Sequence, residues 1–233
     1  MQEQKRLCYG AGRILTEYMA NSEYKTVKAN VESEIEIRKS VFIASVSRAE
    51  TADEAEDFVR AIKKRFPDAT HNCYAYTAGV ECPSVRFSDD GEPGGTAGQP
   101  MLEVLKKKGL SNVAVVVTRY FGGIKLGAGG LVSAYTESVA QAIEKAGVVT
   151  MVRCELYSVR ADYSNFSRID SALTRVGGVK REVVYSDAVE ATYAVKEDLT
   201  EKFLCALGEA GAGEVAPVAV GSLYLPSDEA AAF

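Results

Sequence analysis

The run of six residues from Val113 to Thr118 constrains the fold of this chain more than any other feature. Five Val and Ala residues followed by Thr predict a strand that is covered on both faces, because a half-exposed strand would alternate polar and apolar residues. A glycine-rich turn and a helical pattern over Gly127–Ala146 follow directly. The sequence therefore predicts a buried strand, a turn and a long helix within a layered domain.

The rest of the first part of the chain predicts further strands and helices. Residues 35–48 have an extended pattern, and Thr51 with Glu54 three residues later forms the reciprocal capping pattern that starts a helix. Pro67 is expected to end that helix, since proline cannot continue it. Further elements are predicted as strands over residues 71–78 and 84–87 and as a short helix from Pro100.

The second part of the chain predicts the order βαββαβ. Ser164 is the expected N-cap of its first helix, and Asp198 with Glu201 forms the capping pattern of its second helix. Strands are predicted over residues 152–162, 179–185, 189–195 and 214–225. This order is the split-βαβ, ferredoxin-like arrangement.

These patterns predict an α+β protein with two domains. A helical pattern stops and a strand pattern begins near residues 147–151, which places the boundary there. The predicted divisions are an N-terminal extension (1–22), a first domain (23–149), a ferredoxin-like domain (150–225) and a tail (226–233).

Composition excludes several classes of protein. Apolar residues make up 47% of the chain, which is ordinary for a globular protein and unlike a disordered one. No apolar run reaches the ~18–20 residues of a membrane span, and the first residues lack the apolar core of a secretion signal. Five scattered cysteines without a C-x-x-C pair indicate reduced thiols and a cytoplasmic protein. A net charge of −5 argues against binding duplex DNA, although a local basic patch survives that average.

Three segments hold the residues best suited to chemistry: 71–72, 88–99 and 118–130. A glycine-rich turn between a buried strand and a helix aims backbone N–H groups and the positive end of the helix dipole at one place, which suits an anion. Lys125 and Arg119 would reinforce that site. The residues predicted to form one contiguous ligand-binding surface are Asp89, Asp90, Gly91, Glu92, Thr96, Arg119, Gly122, Gly123, Lys125, Gly127, Gly129 and Gly130.

Each feature also has a purely structural explanation. The glycines suit tight turns against a sheet equally well, and the acids of residues 89–93 suit ordinary turns as well as a hard cation. We therefore predict no metal site and no cofactor. His71, Asp90 and Glu92 are the candidates for acid–base catalysis, although a single His in a strand is more often a structural hydrogen-bonding group.

Named phosphate-binding motifs do not fit. A Walker A loop has Lys and then Ser or Thr after its last Gly, whereas Ala128 follows Gly127. Counted from Gly127 and Gly129, the dinucleotide-binding pattern has Val132 in place of its third Gly. One His and scattered Cys residues do not furnish a zinc site.

At these same segments the chain resembles the YigZ/IMPACT family. The resemblance covers about residues 23–147 and rests on residues 39–44, 69–76, 89–98 and 119–131. The second part resembles the small C-terminal domain of bacterial members, which is similar in fold to the last domain of elongation factor G. One position departs from the family: Ser133 stands where an Arg is usual. If that Arg binds a phosphate, this chain lacks the contact.

The resemblance implies that the first domain has the α/β fold of a small-subunit ribosomal protein domain and no established enzymatic activity. Eukaryotic relatives regulate translation under amino-acid stress by competing for a partner that activates a stress kinase. Bacteria lack that kinase, so association with the translation machinery or RNA is what carries over.

The sequence therefore predicts a non-catalytic regulatory or binding protein whose glycine-rich surface recognises RNA, the ribosome, a translation factor or another phosphate-bearing or protein partner. Two alternatives stay open. One is an enzyme for a small phosphorylated or anionic substrate, acting through His71 and the acids Asp89, Asp90 and Glu92. The other is a scaffold that binds a partner through an exposed apolar patch.

Overall fold

The computed structural model describes residues 22–230. The predicted extension therefore lies outside the described residues except for Ser22, as do residues 231–233 of the tail. Within the described range, ten strands and five helices build two antiparallel sheets, each with its own hydrophobic core. This confirms the predicted α+β class.

The first sheet contains five strands, β2 (Val31–Ile37), β3 (Ser40–Arg48), β4 (His71–Ala78), β5 (Ser84–Ser88) and β6 (Val113–Tyr120). Their order is β2-β3-β6-β4-β5, and every neighbouring pair is antiparallel. As the Val/Ala run predicts, β6 lies at the centre, and its residues 113–119 are all buried.

Three helices cover the two faces of this sheet: α1 (Ala52–Arg65), α2 (Gly98–Lys107) and α3 (Gly127–Ala146). Val116 of β6 packs against Val59 and Ile62 of α1 on one face. Val115 and Val117 point the other way, into the core that α2 and α3 cover. Because successive side chains of a strand alternate between faces, β6 must be apolar throughout to serve both layers.

Local signals set most element ends in this unit. Thr51 Oγ1 accepts the backbone N–H of Glu54 at 3.2 Å, which confirms the predicted start of α1. The extended pattern over residues 35–48 proves to be a hairpin of β2 and β3, whose turn is formed by Arg38 and Lys39 with φ of +48° and +65°. Neither residue is a glycine, so the sequence carried no usual signal for that turn.

The second sheet contains β1 (Glu23–Val27), β7 (Val148–Ala161), β8 (Val179–Tyr185), β9 (Val189–Lys196) and β10 (Val218–Pro226). The order β10-β7-β9-β8 is the ferredoxin-like order predicted from the βαββαβ pattern. Two helices, α4 (Tyr163–Arg175) and α5 (Thr200–Ala210), cover one face through apolar residues that include Ile169 and Phe203.

Both predicted helix caps of this unit are wrong. Asp162, not Ser164, caps α4, because its carboxylate accepts the N–H of Asn165 at 2.8 Å. A short 3-10 turn over residues 197–199 precedes α5, which begins without a side-chain cap. The chain therefore passes from β9 into α5 through this tighter helix and forms no capping box.

The first described strand joins the two units. β1 pairs with β7 from Glu23 opposite Val152 to Val27 opposite Val148. Residues 23–27, which the sequence assigned to the first domain, therefore hydrogen-bond to the second sheet. None of the helices within residues 22–230 is both long and apolar enough to cross a membrane.

Candidate functional site

The loop between β5 and α2 is organised around the carboxylate of Asp89. This carboxylate accepts the backbone N–H groups of Gly95, Ala97 and Gly98 at 2.8, 3.0 and 2.8 Å. Burial alone would raise the pKa of Asp89, but the three donors outweigh it and hold the pKa below its usual value. A Cβ at Gly98 would lie 2.8 Å from the backbone of Ser88, so the closed loop requires glycine there.

Asp90 is held on both carboxylate oxygens. Lys63 Nζ donates to one at 2.6 Å, and the backbone N–H of Asn72 donates to the other at 2.7 Å. These donors outweigh the effect of burial and lower the pKa of Asp90. The carbonyl oxygen of Asp90 lies 2.8 Å from Nδ1 of His71. Both catalytic candidates thus hold the loop against α1 and β4.

Glu92 forms a buried ion pair. Nη1 of Arg119 donates to its Oε1 at 2.6 Å, and the two side chains are only 6% and 3% exposed. The hydroxyl of Tyr135 on α3 donates to the same oxygen at 2.8 Å. Nε2 of His71 lies 3.9 Å from the other oxygen. The carboxylate of Glu92 therefore joins the acidic loop, the end of β6 and α3.

Ser40 connects this ion pair to the glycine-rich segment. Its Oγ accepts the N–H of Gly122 at 3.1 Å and lies 3.4 Å from Nη2 of Arg119. A Cβ at Gly122 would lie 1.9 Å from the carbonyl oxygen of Lys39, so the turn passes too close to the β2–β3 hairpin for any other residue. Through Ser40 and Arg119, the start of the glycine-rich segment (118–130) is thereby fixed to the acidic segment (88–99).

Cys73 and Thr96 belong to the same buried region. Cys73 Sγ lies 2.9 Å from the carbonyl oxygen of Asp89 and 3.3 Å from the hydroxyl of Tyr135. Burial raises the pKa of Cys73 to about 12, which keeps the thiol protonated and unreactive. Thr96 is buried and donates its hydroxyl to the carbonyl of Pro93 at 2.7 Å.

The remaining predicted residues lie at the surface. α3 begins after Leu126 with no side-chain cap and with no acidic residue in its first turn. Gly123 and Gly127 have φ of +84° and +76°, which glycine adopts without strain. The exposed predicted residues are Gly91, Gly123, Lys125, Gly127 and Gly129, with Gly130 half-buried. Residues 122–130 are called the glycine-rich turn below.

The structure therefore separates the predicted site into a buried network and an exposed turn. The network contains the acids and Arg119, whose guanidinium the sequence assigned to a basic surface. Arg119 is 5% exposed and its charge is balanced by Glu92, so Lys125 is the cation that the turn presents. No cluster of His, Cys, Asp and Glu side chains able to hold a metal ion is found among residues 22–230.

Similarity to known proteins covers this whole region. The model of the Impact N-terminal domain matches residues 38–143, a range that includes every predicted site residue. The IMPACT family member YvyE of Bacillus subtilis (strain 168) is 47% identical over 180 residues, which are 77% of this chain and 83% of that protein. This chain belongs to the IMPACT family.

Other members support the assignment beyond the first sheet. The IMPACT family member YigZ of Escherichia coli (strain K12) is 38% identical over 154 residues, which are 65% of this chain and 74% of that protein. A crystal structure of a hypothetical protein superimposes with a TM-score of 0.59 at 32% sequence identity, covering 85% of this chain and 98% of the other. The predicted family is therefore confirmed.

Sequence reasoning missed Ser40, Lys63 and Tyr135 as parts of the network. Tyr135 left a usable signal, because a tyrosine on the apolar side of a helix needs a partner for its buried hydroxyl. Lys63 left none, since nothing in the charged end of α1 distinguishes it from its neighbours. Ser133, the departure from the family pattern, is exposed on α3 and donates its hydroxyl to the carbonyl of Gly129 at 3.1 Å.

Proposed function

We propose that this IMPACT family member is a non-catalytic, cytoplasmic binding protein that acts in translation and contacts RNA through the glycine-rich turn. The resemblance of the chain to a family whose eukaryotic members regulate translation supports the proposed role in translation. The likeness of its second unit to the last domain of elongation factor G supports it by analogy only, because a fold does not determine a function. The proposal therefore depends on the properties of the turn.

The observation that carries the proposal is the open N-terminus of α3. No described side chain caps this helix, and a Cβ built at Gly127 or Gly129 would meet nothing within 4 Å. The backbone N–H groups of the first turn are therefore open to a ligand, with the positive end of the helix dipole behind them and Lys125 exposed beside them. A phosphate group of an RNA backbone matches this combination of donors and charge.

The contacts of the acids favour binding over catalysis. A general base needs a free lone pair directed at a substrate proton. Asp89 instead accepts three backbone N–H groups, Asp90 accepts Lys63 and a backbone N–H, and Glu92 accepts Arg119 and a tyrosine hydroxyl. These carboxylates stabilise the loop and the buried network beneath the turn.

The charge of the chain sets the expected strength of binding. A net charge of −5 opposes the approach of RNA, so contacts through the turn are expected to be weak and sensitive to salt. For single-stranded nucleic acid the logarithm of affinity falls with the logarithm of salt concentration by about 0.7 for each phosphate neutralised. Removal of one cation should therefore reduce both the affinity and this slope.

Co-sedimentation with ribosomal subunits over a series of salt concentrations tests the proposal. Lys125→Ala is compared with Lys202→Ala, which removes the same charge from the exposed side of α5. We expect Lys125→Ala to weaken binding and to reduce the salt slope by about 0.7 to 1, while Lys202→Ala leaves both unchanged. Failure of the wild-type protein to bind subunits or extracted RNA at low salt would refute the proposal, as would equal effects of the two substitutions.

A further inference from the structure

A cavity of about 670 Å³ lies where the two units of the chain meet, apart from the glycine-rich turn. Its size falls within the range of ligand sites, which occur preferentially at such junctions. The second sheet contributes Tyr24 of β1 and residues 222–224 of β10, and the first unit contributes Glu50, Thr51, Asn112 and the loop of residues 79–82.

Asn112 holds the walls of this cavity in place. Its φ is +57°, and its Oδ1 accepts the N–H of Gly79 at 2.8 Å. Its carbonyl oxygen accepts the N–H of Ala49 and the hydroxyl of Thr26, both at 3.1 Å. One buried residue therefore ties β1 to the loop at residue 79 and to the end of β3, so the cavity is formed before any ligand arrives.

The lining of the cavity combines aromatic rings with negative charge. Tyr24 and Tyr224 meet edge to face, with ring centroids 4.9 Å apart and an interplanar angle of 71°. The charged residues in the lining are Glu50 and Glu81, both acidic. Glu50 is paired with Arg48 at 2.9 Å, whereas Glu81 forms no ion pair with any residue between 22 and 230. Burial, opposed by a nearby arginine and assisted by the charge of Glu81, raises the pKa of Tyr224.

We propose that this cavity binds a small organic cation carrying a primary ammonium group. The carboxylate of Glu81 supplies the unbalanced negative charge, and the rings of Tyr24 and Tyr224 supply an apolar wall whose π-electrons attract a cation. An anion would meet the unpaired carboxylate of Glu81, and a neutral apolar ligand would make no use of its charge. This site uses none of the residues of the proposed RNA contact, so the two proposals are independent.

Isothermal titration calorimetry with 1,4-diaminobutane tests the site in the full chain. Glu81→Gln should weaken binding by about two- to fivefold, the effect of one lost charge contact at an exposed carboxylate, and Lys125→Ala should leave it unchanged. Glu36→Gln is the matched control, because it removes another exposed negative charge, from β2. The uncharged analogue 1,4-butanediol should not bind.

A second titration with N-acetyl-lysine methylamide separates the two sources of an ammonium group. Tighter binding of the diamine supports the proposal, and tighter binding of the lysine derivative overturns it, since the site would then fit a lysine side chain of a partner. The proposal is overturned if neither probe binds at millimolar concentration. It is equally overturned if Glu36→Gln weakens binding as much as Glu81→Gln, since general surface charge would then explain the attraction.

Discussion

Replacing Glu92 by Ala should destabilise the protein severely, because the change leaves a buried guanidinium without its counter-charge. The side chain of Arg119 is 6% exposed, so water replaces the lost carboxylate poorly. Removal of one partner of a buried ion pair typically costs about 3–5 kcal/mol. The hydroxyl of Tyr135 loses its acceptor at the same time. Since globular proteins are stable by about 5–15 kcal/mol, the variant should lose between about a fifth and all of its stability.

Urea unfolding measures this loss, with tyrosine fluorescence as the signal because the chain has 12 Tyr and no Trp. Glu103→Ala is the control, since its pair with Lys106 at 3.0 Å is about half exposed and should contribute less than about 1 kcal/mol. A double change to Met at Glu92 and Arg119 should recover much of the loss, because apolar replacement removes both buried charges. A loss below about 1 kcal/mol for Glu92→Ala would refute the reasoning, as would a double variant no more stable than the single one.

Three further outcomes follow from the same contacts. Gly122→Ala should lower the melting temperature strongly, since its Cβ would lie 1.9 Å from a carbonyl oxygen. Gly129→Ala, whose Cβ would meet nothing within 4 Å, should stabilise α3 by up to about 1 kcal/mol. Thermal unfolding that gives Gly129→Ala the lower melting temperature of the two contradicts this prediction. The folded state lowers the pKa of Asp89 below the unfolded value of about 3.9, so its stabilisation is complete above about pH 5 and is lost as the pH falls through the folded pKa. As the pH is lowered to about 2, the urea midpoint should therefore fall less steeply for Asp89→Asn than for the wild-type protein. An equal fall in both proteins would argue against a stabilising role of the Asp89 carboxylate. Iodoacetamide at about pH 8 should modify exposed Cys82 and spare Cys73, whose pKa is raised to about 12, as peptide mass spectrometry would show; equal labelling of the folded protein would be inconsistent with the burial of Cys73.

The elements with strong local signals were predictable. The uninterrupted apolar run placed β6 at the centre of a sheet, and the apolar spacing with its terminal glycine placed α3 over the residues that it occupies. The β2–β3 turn at Arg38 and Lys39 was not predictable, because neither residue type favours positive φ. The pairing of β1 with β7 was not predictable either, since it joins residues more than a hundred positions apart.

The site residues show the same division. Their chemical types are visible in the sequence, and the glycines of residues 122–130 correctly indicated a turn at the start of a helix. Their burial is not visible, because it depends on which elements pack above them. From the sequence alone, a glutamate in a turn (Glu92) and an arginine at a strand end (Arg119) are expected at the surface. Their pairing in the interior depends on the folded sheet.

The sequence by itself determined the order of elements from α1 onward and the presence of a glycine-rich turn, because periodicity and backbone preference are local properties. Its motifs, by their resemblance to known proteins, indicated the family. Only the tertiary structure decided that Glu92 and Arg119, 27 residues apart, neutralise each other inside the protein. A buried charge is stable only beside its partner, and that proximity comes from strand pairing and helix packing. The same packing left Lys125 and the start of α3 open to solvent.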